Sequence, residues 1–164
     1  MQSILETMRA YNPKRIVSLF GCGGNRSKER RYDMGEISGR LADFTIVTED
    51  NSRYEDINDI MNDIEIGLKK TSGKYIKIPS RKDAIKYAID NAKEGDIILL
   101  LGKGHETYRE INGVREHLDE REIIKDIQLY RYVFRDPIHQ VIFWHFFLQE
   151  RNHAKQYQVS ITTN

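Results

Sequence analysis

Apolar residues recur along the chain with two different spacings, one typical of buried strands and one typical of helices. Mainly apolar runs at 15–20, 44–47 and 97–101 predict strands that are covered on both faces, as in a parallel sheet. Apolar residues three and four apart predict helices between these strands. The predicted helices span 3–11, 34–41, 56–68, 80–92 and 119–132, with a further short strand at 75–78.

A hairpin follows the last buried strand. Asn112-Gly113 is a strong turn signal, and it separates the predicted strands 107–111 and 114–117. Helices of crossover length join the other strands, so those strands can lie parallel. The pattern therefore predicts an α/β fold with a mostly parallel, doubly wound sheet, helices on both faces and an antiparallel hairpin at the edge.

Three of the predicted strands run directly into polar or glycine-rich segments. These segments are Gly21–Arg26, Thr48–Asp56 and the sequence Gly-Lys-Gly-His-Glu at 102–106. In open α/β sheets, ligands bind at the carboxyl ends of the strands. We therefore expect the working residues of this chain at that edge, whereas the mostly basic run 28–31 is interpreted as a surface loop.

Length and composition narrow the function classes. The 164 residues suit one domain, and 26 Lys+Arg against 25 Asp+Glu leave a net charge of +1, which predicts no bulk attraction to nucleic acid. A single cysteine, Cys22, is interpreted as a small buried residue, and the five histidines lack metal-ligand spacing. No apolar run reaches the roughly 20 residues of a membrane span. We expect a cytoplasmic protein with no metal site.

The C-terminal part differs from the rest. Residues 133–164 are predicted to be an extension beyond a domain at 1–132, and residues 138–148 concentrate aromatic side chains. Three interpretations stay open. The block covers part of the domain's own surface, it forms a contact between copies of the chain, or it is a non-native terminus.

Eight short motifs fall in the order and spacing of one family. They are Phe20–Arg26, Met34–Ile37, Leu41–Asp43, Thr48–Arg53, Arg81–Ile85, Gly95-Asp96, Gly102–Glu106 and His117–Glu122. Over roughly residues 2–131 the chain resembles the C-terminal domain of the Mur ligases, specifically the UDP-N-acetylmuramoyl-tripeptide synthetases that add diaminopimelate to the peptidoglycan stem peptide. The resemblance implies a Rossmann-like domain that orients the incoming amino acid.

The resemblance also assigns roles to particular residues. It implies that Arg26, Asn51 and Arg53 bind the carboxylates of the amino acid, and that Gly102 and Glu106 bind its distal end. A guanidinium suits a carboxylate and a carboxylate suits an ammonium group. Asp50 and His105 belong to the same predicted site, with contact to the ligand or a structural role open for His105. Residues assigned to the nucleotide side are Asn25, Arg31 and Lys103.

The resemblance favours meso-diaminopimelate over lysine, because Arg53 is absent from the lysine-adding relatives. Ser52 stands where proline is usual, and Asn25 and Ser27 replace aspartates. The full-length enzymes use ATP and Mg²⁺ to form an acyl phosphate, and they hold ATP and the UDP precursor in preceding domains. No phosphate loop occurs in this sequence, so we predict no catalytic residue, no bound cofactor and no ligase turnover by this polypeptide alone.

Two alternatives to a ligase domain remain. One is a stand-alone module that binds an amino acid without catalysis. The other is an interaction protein that self-associates through its aromatic segment. For Arg53 and Glu106 themselves, the alternative is an ordinary surface ion pair.

Overall fold

A computed structural model describes residues 1–134 and 142–145 of the chain. Five helices and seven strands occur in these residues, in the order α1 (Gln2–Arg9), β1 (Arg15–Phe20), α2 (Lys28–Leu41), β2 (Phe44–Val47), α3 (Ile57–Leu68), β3 (Tyr75–Lys77), α4 (Arg81–Asp90), β4 (Asp96–Leu101), β5 (Tyr108–Ile111), β6 (Val114–His117), α5 (Glu120–Phe134) and β7 (Ile142–His145).

Strands β1, β2, β3, β4 and β7 form one parallel sheet in the order β3-β2-β1-β4-β7. β1 lies inside the sheet, with Leu19 opposite Ile46 of β2 and Leu100 of β4. The chain moves outward from β1 to β2 and β3, and then returns to the other side of β1 to form β4. The strand order therefore changes direction between β1 and β4, which is where ligands bind in sheets of this kind.

Each face of the sheet is covered by its own set of helices. Along β1, Ile16 and Phe20 pack on the side of α1, α2 and α3, whereas Val17 and Leu19 pack on the side of α4 and α5. This alternation follows from the two-residue period of a strand. The predicted fold class, a mostly parallel doubly wound α/β sheet with helices on both faces, is confirmed.

Two helices begin with a side-chain cap at the first residue of the span predicted for them. The Asp56 side chain accepts a hydrogen bond from the backbone N–H of Asn58 at 2.7 Å, and the Ser80 side chain accepts one from Asp83 at 3.3 Å. Each bond satisfies a backbone donor at the first turn of its helix. These caps fix the points at which the polypeptide leaves the carboxyl edge of the sheet.

The interpretation of residues 28–31 as a surface loop is wrong. They form the first turn of α2, which begins at Lys28, and the side chain of Arg31 is 1% exposed. Lysine, glutamate and arginine are good helix formers, so a charged run does not by itself indicate a loop. The turn is held because Arg31 points inward to Asp63 of α3, 2.9 Å away.

The hairpin forms a separate two-stranded antiparallel sheet. It is tied to the segment after β2, because Arg53 donates its backbone N–H to Glu110 at 3.0 Å and accepts from the N–H of Asn112 at 2.6 Å. The position beside β4 is taken by β7, whose backbone pairs with Ile97–Leu100. The rest of the aromatic segment 138–148 lies outside the described residues.

Across residues 1–134 and 142–145, none of the helices combines the length and the apolar character needed to cross a membrane.

Candidate ligand-binding site

The segments that follow β1, β2 and β4 meet at the carboxyl edge of the sheet. β1 lies between the other two strands, and the segment that follows it, which begins at Gly21, packs closely against the segments after β2 and β4. Gly21 makes this contact feasible, since a Cβ atom there would lie 2.3 Å from the carbonyl oxygen of Thr48. A Cβ on Gly102, which has a φ of +106°, would in turn lie 3.1 Å from the carboxylate of Asp50.

The Asn51 side chain connects the segment after β2 to the segment after β4. Its amide nitrogen donates to Glu106 at 2.8 Å, and its amide oxygen accepts from the backbone N–H of Glu110 at 2.9 Å and from Lys103 at 3.2 Å. Asn51 is itself buried, with 6% of its surface exposed. Two residues that the resemblance assigned to opposite ends of a ligand are therefore hydrogen-bonded to each other.

Lys103 lies inside this cluster, and its side chain has no exposed surface. Its ammonium nitrogen donates to the carbonyl oxygen of Tyr108 at 2.5 Å, and it lies 3.5 Å from Asp50 and 3.8 Å from Glu106. A buried ammonium group must be paired to be tolerated. The ammonium group of Lys103 therefore points into the protein and not toward solvent.

Glu106 is the part of the cluster that remains accessible. Its side chain is 34% exposed, against 12% for Asp50. One carboxylate oxygen of Glu106 accepts from Asn51, and no other hydrogen bond to this carboxylate occurs within the described residues. The second oxygen is therefore open to a donor from outside, such as an ammonium group.

Arg53 adopts a left-handed backbone conformation, with a φ of +53°. Its guanidinium group turns toward the segment after β1 and donates to the carbonyl oxygen of Gly24 at 2.7 Å. Among the described residues this is the one hydrogen bond of the guanidinium, which leaves its other N–H donors available to a ligand. No ion pair joins Arg53 to Glu106 in the described part of the chain, so the alternative of a surface ion pair between them is not what the structure has.

Arg26 and His105 are both exposed. Neither side chain forms a hydrogen bond or ion pair with any other residue that the structure describes. Arg26 follows the glycine-rich segment after β1, and its side chain passes near Gly23, which also adjoins the Arg53 guanidinium. The structure thus places Arg26 on the same side as Arg53, whereas His105 forms no hydrogen bond or ion pair with the described residues of the cluster.

The residues assigned to the nucleotide side have internal contacts. Asn25, at a φ of +55°, donates its backbone N–H to the carboxylate of Glu55. Arg31 is bound to both oxygens of Glu55 at 2.9 Å and to Asp63, and it also donates to the carbonyl of Gly23 at 3.3 Å. Their contact with a nucleotide stays a prediction, and what the structure gives them is a role in holding the segment after β1.

The ion pair between Arg31 and Glu55 is reflected in the acidity of the carboxyl group. The hydrogen bonds from the Arg31 guanidinium, followed by the backbone hydrogen bond from Asn25, hold the pKa of Glu55 below its ordinary value. Glu55 therefore stays ionised and links α2 to the segment after β2.

Another buried arginine was not predicted as a site residue. Arg81 is fully buried and pairs with Glu120 at 2.6 Å, and it donates to the carbonyl oxygens of Glu49 and Leu101, each at 2.9 Å. It thereby joins the ends of β2 and β4 to the start of α5. The motif 81–85 was recognised in the sequence, but nothing in its pattern indicates that its arginine points inward.

A groove of about 380 Å³ lies between the hairpin and the segment after β2. Its carboxylates are already engaged, because Glu49 pairs with Arg109 at 3.0 Å, Glu55 pairs with Arg31, and Asp56 caps α3. The carboxylates that line the groove therefore already have partners among the described residues, whereas one oxygen of Glu106 accepts no hydrogen bond from them.

Cys22 is buried, as predicted, and burial raises the pKa of its thiol to about 12. Such a thiol is not a nucleophile at neutral pH. Among the described residues, no group of three or more His, Cys, Asp or Glu side chains could hold a metal ion.

Residues 1–104 match the model of a protein family described as Mur ligase, glutamate ligase domain. Similar curated proteins are the UDP-N-acetylmuramoyl-L-alanyl-D-glutamate--2,6-diaminopimelate ligases of Caldanaerobacter subterraneus subsp. tengcongensis and Clostridium perfringens, which are 46% and 43% identical to the chain over 127 residues. Each match covers 77% of this chain and 26% of the relative. The chain thus spans about a quarter of the length of these relatives.

A solved structure of UDP-N-acetylmuramoyl-L-alanyl-D-glutamate--2,6-diaminopimelate ligase is also similar, with a TM-score of 0.75 and 33% sequence identity. The match covers 80% of this chain and 27% of the solved one.

Proposed function

The chain belongs to the Mur ligase family and corresponds to its C-terminal domain, and from this premise we propose that its carboxyl-edge cluster binds and orients an amino acid that carries both ammonium and carboxylate groups. Glu106 binds the ammonium group at the distal end of the ligand. Arg53 and Arg26 bind its carboxylates. We propose meso-diaminopimelate as the ligand, which would be joined to UDP-N-acetylmuramoyl-L-alanyl-D-glutamate in peptidoglycan biosynthesis.

The hydrogen bond between Asn51 and Glu106, at 2.8 Å, is the observation that carries this proposal. It fixes the accessible carboxylate of Glu106 beside the segment that bears Arg53, although Glu106 and Arg53 are 53 positions apart in sequence. A carboxylate and a guanidinium on neighbouring segments complement a zwitterion, because each binds one of its charged groups.

Arg53 supports diaminopimelate over lysine. Lysine has an ammonium group at its distal end and no second carboxylate, so it leaves one of the arginines without an anionic partner. A site that hydrogen-bonds a charged group of its ligand discriminates strongly against an analogue that lacks the group.

ATP and the UDP precursor belong to other parts of the reaction. Mur ligases depend on ATP, and we propose that this domain docks on a central and an N-terminal ligase domain that hold ATP and the UDP precursor, in the cytoplasm. The described residues hold no carboxylate cluster that suits Mg²⁺, so we assign no Mg²⁺ ligand to them. We propose that the ligase domain proper spans about residues 1–132, that β7 of the C-terminal extension adds a strand to its sheet, and that the 164-residue polypeptide by itself turns over no ATP.

Calorimetric titration with meso-diaminopimelate and with lysine tests the proposal. We expect the chain to bind meso-diaminopimelate more tightly than lysine, and Arg53→Ala to weaken meso-diaminopimelate at least about tenfold, since a hydrogen bond to a charged group contributes about 1.5–3 kcal/mol. Arg40→Ala is the matched control, because Arg40 is an exposed arginine on α2 whose ion pair is with Glu36 of the same helix.

Unchanged binding in Arg53→Ala would contradict the carboxylate assignment. A wild-type chain that gives no heat with either amino acid would contradict the proposal as a whole.

A further inference from the structure

We propose that Lys103 is a positioning residue, whose buried ammonium group fixes the orientation of the Asn51 amide and through it aims the carboxylate of Glu106. The inference rests on the proposed function of the same site. It extends that function by naming Lys103 as the residue that positions the Glu106 carboxylate for an ammonium ligand.

Lys103 cannot act on a ligand directly. Its side chain has no exposed surface, and its ammonium nitrogen is enclosed by Tyr108, Asn51 and the two carboxylates. Gly102 and Gly104, with φ of +106° and +58°, let the loop fold around the side chain. Any influence on binding must therefore pass through a residue that Lys103 contacts.

Asn51 is that residue, because an asparagine amide can be turned over and Lys103 determines which way it points. The amide oxygen faces two donors, the Lys103 ammonium and the backbone N–H of Glu110. Turning the amide over would place its NH₂ group against both donors and would leave its oxygen facing the carboxylate of Glu106. Buried donors left without acceptors are costly, so the observed orientation is favoured.

The charges of the cluster show what balances the buried ammonium group. One ammonium group lies between two carboxylates, at 3.5 Å from Asp50 and 3.8 Å from Glu106. One ammonium group therefore serves two carboxylates, of which Glu106 is the more exposed. Lys103 thus balances the less exposed carboxylate of Asp50, and the more exposed carboxylate of Glu106 is left to attract a cationic group of the ligand.

Lys103→Met tests the inference, since methionine keeps the length and apolar stem of lysine and removes the ammonium group. We expect the affinity for meso-diaminopimelate to fall at least about tenfold. In the ligand-free chain we expect faster hydrogen exchange at the backbone N–H of Glu110, because its acceptor on Asn51 is no longer held. Both are measured at a temperature at which circular dichroism shows each variant folded.

Arg15→Met is the control for lost stability. Arg15 pairs with the buried carboxylate of Asp96 at the opposite edge of the sheet, with 2.5 Å between the charged atoms. This variant also removes a cation from a buried carboxylate, but it leaves the cluster intact. We expect it to keep the affinity for meso-diaminopimelate and the exchange rate at Glu110.

If Lys103→Met does not fold, the same comparison is made in an Asp50→Asn background, where one carboxylate is removed with the cation. We expect Asp50→Asn/Lys103→Met to bind meso-diaminopimelate at least about tenfold more weakly than Asp50→Asn alone. Equal affinities of these two variants for meso-diaminopimelate would overturn the inference. So would a wild-type affinity in Lys103→Met, or a loss of affinity in Arg15→Met as large as the loss in Lys103→Met.

The inference and the proposed function can fail separately. A wild-type chain that does not bind meso-diaminopimelate contradicts the proposed function. The hydrogen-exchange rate at the backbone N–H of Glu110 then tests by itself whether Lys103 positions Asn51. An exchange rate unchanged by Lys103→Met overturns the positioning role.

Discussion

Arg53 shows how a single residue combines a proposed binding role with an unfavourable backbone. Its φ of +53° lies in the left-handed region, which residues with a side chain rarely adopt. The conformation persists because the hairpin bonds both backbone groups of Arg53, to Glu110 and to Asn112. Strain of this kind is found where the position of a side chain matters.

The strain predicts a difference between two substitutions that both remove the guanidinium. We expect Arg53→Gly to be more stable than Arg53→Ala by about 1 kcal/mol, because glycine adopts positive φ without a steric penalty. Urea unfolding of the two variants measures this difference. Equal stabilities would mean that the left-handed backbone at this position is not present in solution.

At the level of residues, the sequence predicts which side chains gather but not how they are arranged. Arg53 and Glu106 could be placed at the same sheet edge because each follows a strand. The burial of Lys103 could not be predicted, since a lysine between two glycines is usually exposed. It is buried because Asp50 and Asn51, which follow β2, and the carbonyl oxygen of Tyr108, at the start of β5, surround its ammonium group.

At the level of elements, the cluster depends on two strand ends that are held by one buried arginine. Arg81, at the start of α4, bonds Glu49 after β2, Leu101 at the end of β4 and Glu120 at the start of α5. This single guanidinium keeps the segments that carry Asn51 and Glu106 at a fixed separation.

We expect Arg81→Met to reduce the free energy of unfolding by about 3–5 kcal/mol, because removing one partner of a buried ion pair leaves buried polar groups without a partner. Arg9→Met, which breaks the exposed ion pair with Asp43, is the control and should cost at most about 1 kcal/mol. Chemical unfolding followed by circular dichroism measures both. A loss for Arg81→Met no larger than that for the control would contradict the structural role of Arg81.

The sequence predicts whether a segment is a helix or a strand better than it predicts where that element ends or which other element it contacts. The caps at Asp56 and Ser80 mark helix starts because their side chains act locally. The start of α2 does not follow from the local pattern, because Lys28 and Arg31 in its first turn pair with Asp63, far along the chain. The docking of the hairpin on Arg53 was missed for the same reason, since no local pattern encodes a contact between residues nearly 60 positions apart.

At the level of the whole molecule, the sheet is completed by a strand from the C-terminal part of the chain. β7 pairs in parallel with β4, the strand that leads into the Gly102–Glu106 loop. An unpaired β4 edge would present a row of free backbone groups, and such edges promote association between chains.

Truncation at two points tests this arrangement. We expect a chain that ends at Phe134 to unfold at a lower temperature and to associate in sedimentation experiments, because it lacks β7 and exposes β4. A chain that ends at His145 keeps β7 and is the matched control. If the shorter chain is as stable and as monomeric as the control, β7 does not protect the edge of the sheet in solution.

The central claim is that the segments after β1, β2 and β4 form one site for a zwitterionic amino acid. Titration of the ¹⁵N-labelled chain with meso-diaminopimelate, followed by backbone amide shifts, tests it most directly. We predict that the largest shifts occur together at Arg26, Asn51, Arg53, Gly102 and Glu106, with much smaller ones when lysine is added. The absence of shifts at these amides, or shifts confined to another surface, would contradict the account.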